Sequence, residues 1–302
     1  MIRFIVNPVA GAHKTRRRWH ILENYARKVL GNFEVRFTEY PGHAIKLAKE
    51  AAKSGVDTIV AVGGDGTINE VANGIFYSSH EAKLGIIDCG TGADFVRTVS
   101  VGKNYLEAIE TLKSGLTRKI DIIEAEFTDP DGGKRKRIFV NAADAGLGGD
   151  TVINVDGAPK VMGGKLAFLY GVLRSLVHLK NYPVKITLDG NEVGEYDIIS
   201  VIVANGKYFA GGMLVAPMAQ PDDGRFEVII IKNTTRRKFL RSLPLVYRGE
   251  HIYIDEVEHF SGKILEIRSA SSIMMEMDGE LVGRLPAKFE IRHEAIEVIS
   301  KK

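Results

Sequence analysis

Residues 56–76 join an apolar run, a glycine-rich turn and a segment with helical spacing of apolar side chains. The apolar run at 56–62 predicts a buried strand, and residues 67–76 predict a helix with one buried face. Glycines at 63, 64 and 66 let the backbone turn sharply and approach a ligand closely. Because a helix N-terminus presents unpaired backbone N–H groups, this strand–loop–helix unit predicts a phosphate-binding loop.

Strand and helix signals alternate through residues 1–125, which predicts an α/β domain with a Rossmann-like parallel sheet covered by helices. The predicted strands are 3–6, 33–38, 56–62 and 84–87, and the predicted helices are 17–30, 43–54, 67–76 and 105–112. Ligands bind at the carboxyl ends of the strands in such folds, which is where the glycine-rich turn falls.

The pattern changes near residue 125, where a turn signal at 129–133 separates two short strand signals and predicts a β-hairpin. A predicted helix at 165–179 is followed by strand signals at 184–188, 196–204, 226–232, 263–269, 274–278 and 289–292. We therefore predict two domains: the α/β domain at 1–125 and a mostly antiparallel, β-rich domain at 126–286.

Composition narrows the class of protein. The chain has 302 residues, a formal net charge of +3 and one cysteine, Cys89. This charge is too small to require nucleic acid, and a single cysteine fits the reducing cytoplasm. No apolar run approaches the roughly 20 residues that span a bilayer, and the N-terminus shows no secretory signal. Basic clusters at 14–18, 134–137 and 236–238 are interpreted as solvated surface, with an anionic membrane as the alternative partner.

Acidic side chains follow predicted strands of the first domain. Asp65 lies inside the glycine-rich turn, Asp94 follows the glycines at 90 and 92, and Asp121 follows a short apolar segment. Each alone is typical of a cap or turn, but carboxylates gathered at one sheet edge repel each other unless a cation is present. Together they predict a metal–nucleotide site.

The turn after the first predicted strand contains Asn7, Pro8 and Gly11. Asn-Pro alone is typical of a loop, but here it lies at the same sheet edge and predicts a second wall of the nucleotide site. Thr67 and Glu70 also match the capping-box pattern T-x-x-E, which would explain both as helix-start chemistry.

Two later turns carry candidate oxygen ligands. Asp278-Gly279-Glu280 lies between two strand signals and predicts either a plain hairpin turn or a carboxylate that acts as a general base. The stretch 220–225 likewise predicts either a turn or a site where oxygen atoms bind an ion. The sequence contains no G-x-x-x-x-G-K-[ST] loop, no complete dinucleotide fingerprint and no zinc-binding histidine spacing.

Taken together, these motifs resemble the diacylglycerol kinase catalytic-domain family, specifically its soluble bacterial-type lipid kinases. The matching segments are Asn7-Pro8-x-Ala10-Gly11, Gly63 to Gly74, Gly90-Thr91-x-x-Asp94-Phe95, Ala204 to Gly212, Ala216-Pro217 and Asp278-Gly279-Glu280. A GGDGT turn alone is shared with NAD kinases and, in part, phosphofructokinases, whereas its continuation N-E-V-x-N-G looks like the lipid kinases. Ala93 departs from the family, which usually has Asn there.

The resemblance implies an NAD kinase/phosphofructokinase-like fold with ATP and Mg²⁺ as cofactors, and a return of residues 287–302 to the first domain. The residues that would bind ATP, beside Gly63 and the Asn7 turn, are Thr38, Gly64, Asp65, Gly66, Thr67, Ile68, Asn69, Glu70 and Thr91. Nucleotide-associated magnesium would be held by Asp65, Asp94 and Asp121. A structural magnesium would lie at Gln220, Asp223 and Arg225. Glu280 would be the catalytic base, with Asp278 close by.

The predicted reaction is transfer of the γ-phosphoryl group of ATP to the hydroxyl of diacylglycerol or a related lipid alcohol. A cleft lined by residues 165–179 and 209–214 would admit the lipid. An NAD kinase-like enzyme and a non-catalytic nucleotide-sensing, membrane-docking protein are the alternatives. We expect a cytoplasmic protein that contacts an anionic membrane surface peripherally and has no nucleic acid partner; a homodimer is left open.

Overall fold

The structure, a computed structural model, describes residues 1–155, 170, 171, 174, 175, 177 and 179–301. It contains two compact units, one formed by Met1–Ile120 with Glu294–Lys302 and the other by Asp121–His293. Nine of the fifteen residues of the predicted helix at 165–179 lie outside the described residues. Among the residues that are described, no helix is both long enough and apolar enough to cross a bilayer.

Parallel strands form the sheet of the first unit, as predicted. They are β1 (Ile2–Val6), β2 (Glu34–Phe37), β3 (Thr58–Gly63) and β4 (Lys83–Asp88). Their order in the sheet is β4-β3-β1-β2. Val298, near the C-terminus, pairs in parallel with Leu84 of β4, so the chain returns to this sheet at its end.

Five helices cover this sheet: α1 (Lys14–Leu30), α2 (His43–Lys53), α3 (Asp65–Phe76), α4 (Asp94–Val99) and α5 (Tyr105–Ser114). The helical period places Trp19, Leu22 and Ala26 of α1 on one buried face, against Phe4 of β1. Gly74 allows α3 to approach α2, because a Cβ there would lie 2.5 Å from the Cβ of Ala48. This packing fixes the start of α3 relative to the sheet.

The second unit is built mainly from antiparallel strands, as predicted. They are β5 (Thr117–Thr128), β6 (Lys134–Phe139), β7 (Ala142–Gly146), β8 (Tyr182–Leu188), β9 (Asn191–Ala204), β10 (Phe226–Lys232), β11 (Val257–Gly262), β12 (Ile264–Arg268), β13 (Met274–Met277) and β14 (Glu280–Ile299), of which β5 begins and β14 ends in the first unit. The predicted hairpin is confirmed, since β5 pairs with β6 from Ile123–Phe139 to Thr128–Lys134.

Strand pairing in this unit closes on itself, in the order β7-β9-β8-β12-β14-β13 and back to β7. Inward-facing side chains of these strands, such as Val201, Val203, Leu265, Met275 and Phe289, form the apolar core. Where the structure describes this unit, it also contains the helices α6 (Leu147–Val155) and α7 (Arg236–Arg248), a 3₁₀ turn at Glu250–Tyr253, and helical residues at 170, 171, 174, 175 and 177. The sequence patterns did not predict α7.

Candidate active site

The predicted nucleotide loops share one edge of the first unit's sheet. Asn7, Thr38, Gly64 and Cys89 each follow the carboxyl end of a parallel strand, and such ends lie together. The Cys89 amide donates a hydrogen bond to the carbonyl oxygen of Gly63 at 2.8 Å. Predicted loops after all four strands therefore come together, and this edge is the candidate donor site.

Glycine is required where two of these loops touch. A Cβ at Gly90 would lie 2.6 Å from the Cα of Gly64, so neither backbone could approach the other with a side chain between them. Gly11 has a φ of 61°, and a Cβ there would lie 2.3 Å from the carbonyl oxygen of Cys89. The close backbone contacts leave N–H groups at the start of α3 beside the loop after β4.

The capping-box interpretation of Thr67 and Glu70 is wrong. The helix begins at Asp65 and its N-cap is Gly64, so both residues lie inside α3. The Glu70 carboxylate instead accepts hydrogen bonds from the amides of Gly42 at 2.8 Å and Ala44 at 3.0 Å, at the start of α2. A carboxylate there is stabilised by the helix dipole of α2.

Other predicted ATP contacts are also used within the fold. Thr67 Oγ1 accepts a hydrogen bond from Asn7 Nδ2 at 3.0 Å, which joins the turn after β1 to α3. Asn69 is buried, and its Oδ1 accepts from Asn73 Nδ2 at 2.8 Å. Ile68 is fully buried in the core. The Ile68 amide is also used within the helix, since it donates to the carbonyl oxygen of Gly64 at 3.1 Å, so the unpaired amides of this helix start lie before Ile68.

Three carboxylates come together at this edge: Asp65, Asp88 and Asp94. Asp65 accepts hydrogen bonds from the amides of Phe95 at 3.2 Å and Asp94 at 3.4 Å. Burial raises the pKa of Asp65, and it raises the pKa of Asp88 to about 6, with the charges of Asp65 and Asp94 adding to that rise. Asp88, the last residue of β4, was missed because only the glycines after it were treated as the loop.

The donor set suits magnesium. Among the described residues, no group of three or more His, Cys, Asp or Glu side chains has the geometry to hold a metal by itself. Mg²⁺ commonly keeps several waters and binds one or two carboxylates together with substrate phosphates. The charges of Asp65 and Asp94 raise the pKa of Asp88, and a bound cation would oppose that rise, as Arg97, 3.8 Å from Asp94 Oδ1, already does in part.

A cleft of about 580 Å³ opens beside these loops. Its lining includes Gly11, Lys14, Arg18, Gly90 and Thr91. The cluster at 14–18 was interpreted as solvated surface, and Lys14 and Arg18 are indeed exposed; their spacing of four residues also places them on one face of α1, where they line this cleft. Two cations beside a glycine loop add to its suitability for phosphates.

The departure at Ala93 has a conformational meaning. Ala93 has φ 58° and ψ 34°, which is the left-handed helical region. Asn adopts this conformation more readily than Ala, because its polar side chain can hydrogen-bond locally. The left-handed backbone at this position therefore accounts for the usual Asn of the family. Ala93 adopts this left-handed conformation without the side-chain hydrogen bond that Asn could make.

The second unit holds the Asp278-Gly279-Glu280 turn. Met277 pairs with Glu280, so Asp278 and Gly279 form a two-residue hairpin loop, and their φ values of 49° and 86° identify a type I′ turn. The Asp278 carboxylate accepts hydrogen bonds from the amides of three residues, namely Val140 at 3.0 Å, Asn141 at 3.1 Å and Ala142 at 2.9 Å. Asp278 therefore fixes the turn.

Glu280 projects from this turn and is 38% exposed at its side chain. Its Oε2 lies 2.6 Å from Arg137 Nη2 on β6. A rigid turn and an ion pair hold the carboxylate in one orientation, as a positioned proton acceptor requires. The environments of the two acids therefore differ, since Asp278 is buried among three amides and Glu280 is partly exposed.

Asp121 and the 220–225 turn lie together in the second unit. Asp121 Oδ2 accepts from the Gly224 amide at 2.7 Å, and Oδ1 lies 2.7 Å from His293 Nδ1. Asp223 Oδ1 accepts from the Arg225 amide at 3.0 Å, and the Arg225 guanidinium binds Ser261. A guanidinium has no acceptor, so a cation at Arg225 would use the backbone carbonyl, whereas Gln220 also offers its side-chain amide oxygen.

A pair of buried carboxyls lies next to the turn that carries Glu280. Glu276 of β13 pairs directly with Asp144 of β7. Asp144 accepts from Ser200 Oγ at 2.5 Å and from the Gly148 amide at 3.0 Å, and Glu276 accepts from the Gly279 amide at 2.8 Å. Burial raises the pKa of Asp144 to about 7 and raises the pKa of Glu276, with repulsion between the two carboxyls adding to the rise for Glu276.

This pair predicts a pH-dependent stability. The folded-state pKa of Asp144 lies above its unfolded value of about 4, so its contribution is fully present below pH 4 and is lost as pH rises to 7. We expect Asp144→Asn to remove this loss. Between pH 5 and pH 8, the free energy of unfolding of the wild type should fall by about 2 kcal/mol more than that of the variant. Urea unfolding at both pH values measures this, and equal changes in the two proteins would contradict it.

The chain is similar to proteins of one known family over nearly its whole length. Residues 1–125 match the diacylglycerol kinase catalytic domain, and residues 143–300 match the YegS C-terminal NAD kinase beta sandwich-like domain. Diacylglycerol kinase from Bacillus subtilis is 30% identical over 99% of this chain and 96% of its own length. Diacylglycerol kinase from Staphylococcus haemolyticus is 30% identical over 99% of this chain and 88% of its own.

Solved structures show the same fold. A crystal structure of a protein assigned as a diacylglycerol kinase from Bacillus anthracis has a TM-score of 0.80 and 26% identity, and covers 99% of this chain and 95% of its own. An NAD kinase from Archaeoglobus fulgidus, solved with ATP, has a TM-score of 0.54 and 17% identity, covering 100% of this chain and 94% of its own. The fold is thus the NAD kinase-like one that diacylglycerol kinases share.

The fold and these matches define a class of protein: kinases that transfer a phosphoryl group to an alcohol. Within that class, the chain belongs to the diacylglycerol kinase family and is a lipid kinase.

Proposed function

We propose that this protein transfers the γ-phosphoryl group of ATP to the hydroxyl of diacylglycerol or a related lipid alcohol, with Mg²⁺ as cofactor, at the cytoplasmic surface of a membrane. The binding of ATP is supported by the close contact of Gly64 with Gly90, which lies beside the carboxylates of Asp65, Asp88 and Asp94. The lipid acceptor is supported by the family relatives, which are diacylglycerol kinases.

Phosphate binding would use the backbone of the glycine loop. The N–H groups at the start of α3 and the positive end of its dipole favour an anion there. Lys14 and Arg18 line the adjoining cleft and would offset the charge of the phosphates. Phosphoryl transfer depends mainly on positioning and charge neutralisation, and these residues supply both.

The carboxylates Asp65, Asp88 and Asp94 would hold the magnesium ion, directly or through its waters. When bound, the ion neutralises charge on the phosphates and helps to orient them. Asp65 is the central residue of this set, because its two oxygens already accept from the amides of Asp94 and Phe95 and so fix the start of α4.

Proton transfer would use Glu280. The lipid hydroxyl loses its proton as the phosphoryl group arrives, and the Glu280 carboxylate would accept it. Arg137 orients this carboxylate, and Asp278 holds the turn through three amide hydrogen bonds. The proposed steps use neither Asp121 nor the 220–225 turn, which are joined by the hydrogen bond from the Gly224 amide to Asp121 Oδ2.

The test is the dependence of ATP turnover on an acceptor. We expect purified protein with magnesium and ATP to release ADP slowly alone and at least about tenfold faster with diacylglycerol in vesicles. Chelation of magnesium should remove the stimulated rate. An ADP release rate that is the same with and without diacylglycerol would contradict the proposed acceptor.

A further inference from the structure

Helix α7 (Arg236–Arg248) lies on the surface with an unusual composition. None of its residues is buried, and the side chains of Leu240 and Tyr247 are 44% and 56% exposed. Tyr253, in the 3₁₀ turn that follows, is 82% exposed. Large apolar side chains scattered singly are ordinary on a surface, but several on one short helix mark a candidate interaction site.

The exposed side chains of α7 form two neighbouring stripes. Leu240 and Tyr247 are exposed and lie seven residues, or about two helical turns, apart, which places them on one line along the helix, with the partly exposed Leu243 beside them. Arg237 and Arg241 are four residues apart and form a second line beside the first. An apolar stripe bordered by arginines is the pattern of a helix that lies in a membrane interface.

Charge on this segment is of one sign. Residues 233–249 contain five Arg or Lys and no Asp or Glu. Lys238 forms an ion pair with Glu256, and Arg248 lies 3.9 Å from Glu250. Within the described parts of the chain, no carboxylate lies within 4.0 Å of the guanidinium groups of Arg236, Arg237 or Arg241. These three cations are therefore available to an anionic partner.

The opposite side of α7 is anchored, so the exposed face is presented in one orientation. Val246 packs against the apolar cluster that includes Val215 and Ile229, and its carbonyl oxygen accepts from the Leu214 amide at 3.1 Å. The Thr235 hydroxyl caps the N-terminus by accepting from the Lys238 amide. A fixed helix loses little conformational freedom when it docks.

We propose that the exposed face of α7, defined by Arg236, Arg237, Leu240, Arg241 and Tyr247, docks on an anionic phospholipid bilayer. The leucine and tyrosine would enter the boundary between headgroups and acyl chains, while the arginines bind lipid phosphates. This inference rests on the proposed function in that the membrane would hold the lipid acceptor. Nucleic acid would suit the arginines but would leave the apolar stripe in water.

The experiment measures binding of the full chain to sedimented vesicles without ATP. We expect strong binding to vesicles of equal parts phosphatidylcholine and phosphatidylglycerol, weak binding to phosphatidylcholine alone, and a loss of binding at high salt. Each basic residue near such a surface contributes about fivefold to the partition coefficient. Arg237→Glu with Arg241→Glu should therefore weaken binding at least about thirtyfold.

Two controls make the result specific. Lys46→Glu with Lys53→Glu reverses two exposed lysines on α2 and should leave vesicle binding within about twofold. Arg237→Lys with Arg241→Lys keeps the charge and should also bind. Activity toward a short-chain diacylglycerol dissolved as monomers should be equal in the Glu variant and the wild type, which separates docking from catalysis.

Three results would overturn the inference. They are equal vesicle binding by the Arg237→Glu/Arg241→Glu variant and the wild type, equal wild-type binding to neutral and anionic vesicles, and a lipid-free dimer that the same substitutions dissociate. Failure of the proposed kinase function would appear separately, as absent activity toward the monomeric acceptor with vesicle binding intact.

Discussion

Replacing Glu280 with Gln should lower kcat about 10²–10⁴-fold, the range that a general base contributes, while the Kd for ATP stays within about twofold. Gln keeps the size of the side chain and can still accept a hydrogen bond from Arg137, but it cannot take the proton of the acceptor hydroxyl. The measurement is steady-state turnover of diacylglycerol together with ATP titration by calorimetry.

Glu192→Gln is the matched control for this substitution. Glu192 is also an exposed carboxylate of the second unit in an ion pair, 2.7 Å from Lys185, and removing its charge should leave kcat unchanged. A Glu280→Gln protein that folds normally and turns over at the wild-type rate would exclude Glu280 as the base. A loss of ATP affinity as large as the loss of kcat would indicate a binding role instead.

Asp65→Asn should lower kcat/KM at least about 100-fold, equivalent to about 2.7 kcal/mol of transition-state stabilisation. The amide removes one negative charge from the set of Asp65, Asp88 and Asp94, so magnesium would be held less tightly at the phosphates. We expect the magnesium concentration for half-maximal rate to rise, and raised magnesium to recover part of the activity. A magnesium titration of the initial rate measures both effects.

Asp131→Asn controls for loss of a surface carboxylate, since Asp131 is an exposed turn residue of the second unit. It should leave both the rate and the magnesium dependence unchanged. Because Asp65 also accepts from two amides at the start of α4, the thermal transition of Asp65→Asn must be measured as well. A stable variant with an unaltered magnesium dependence would contradict the role of Asp65.

Local patterns in the sequence predicted the parts of the fold that depend on local order. The alternation of strands and helices through 1–125 and the hairpin around 129–133 depend on residues near each other in the chain, and both are present. The Asp278-Gly279 turn was also recognisable, since this dipeptide favours positive φ at both positions.

Contacts over long sequence distances were not predictable in this way. Glu70 matched a capping box, but its carboxylate binds Gly42 and Ala44 almost thirty residues away. Lys14 and Arg18 became site residues only because α1 starts beside the loop after β4. Helix α7 was missed because it contains Pro244, which normally breaks a helix interior.

Transfer of phosphate to a lipid is tested most directly by following the γ-phosphate of ATP. Labelled ATP and magnesium are incubated with the protein and with extracted total lipid, with NAD, or with no acceptor. We expect label in the organic phase only when lipid is present, and none in NADP. Label in NADP, or no transfer to any acceptor by folded protein, would contradict a lipid kinase.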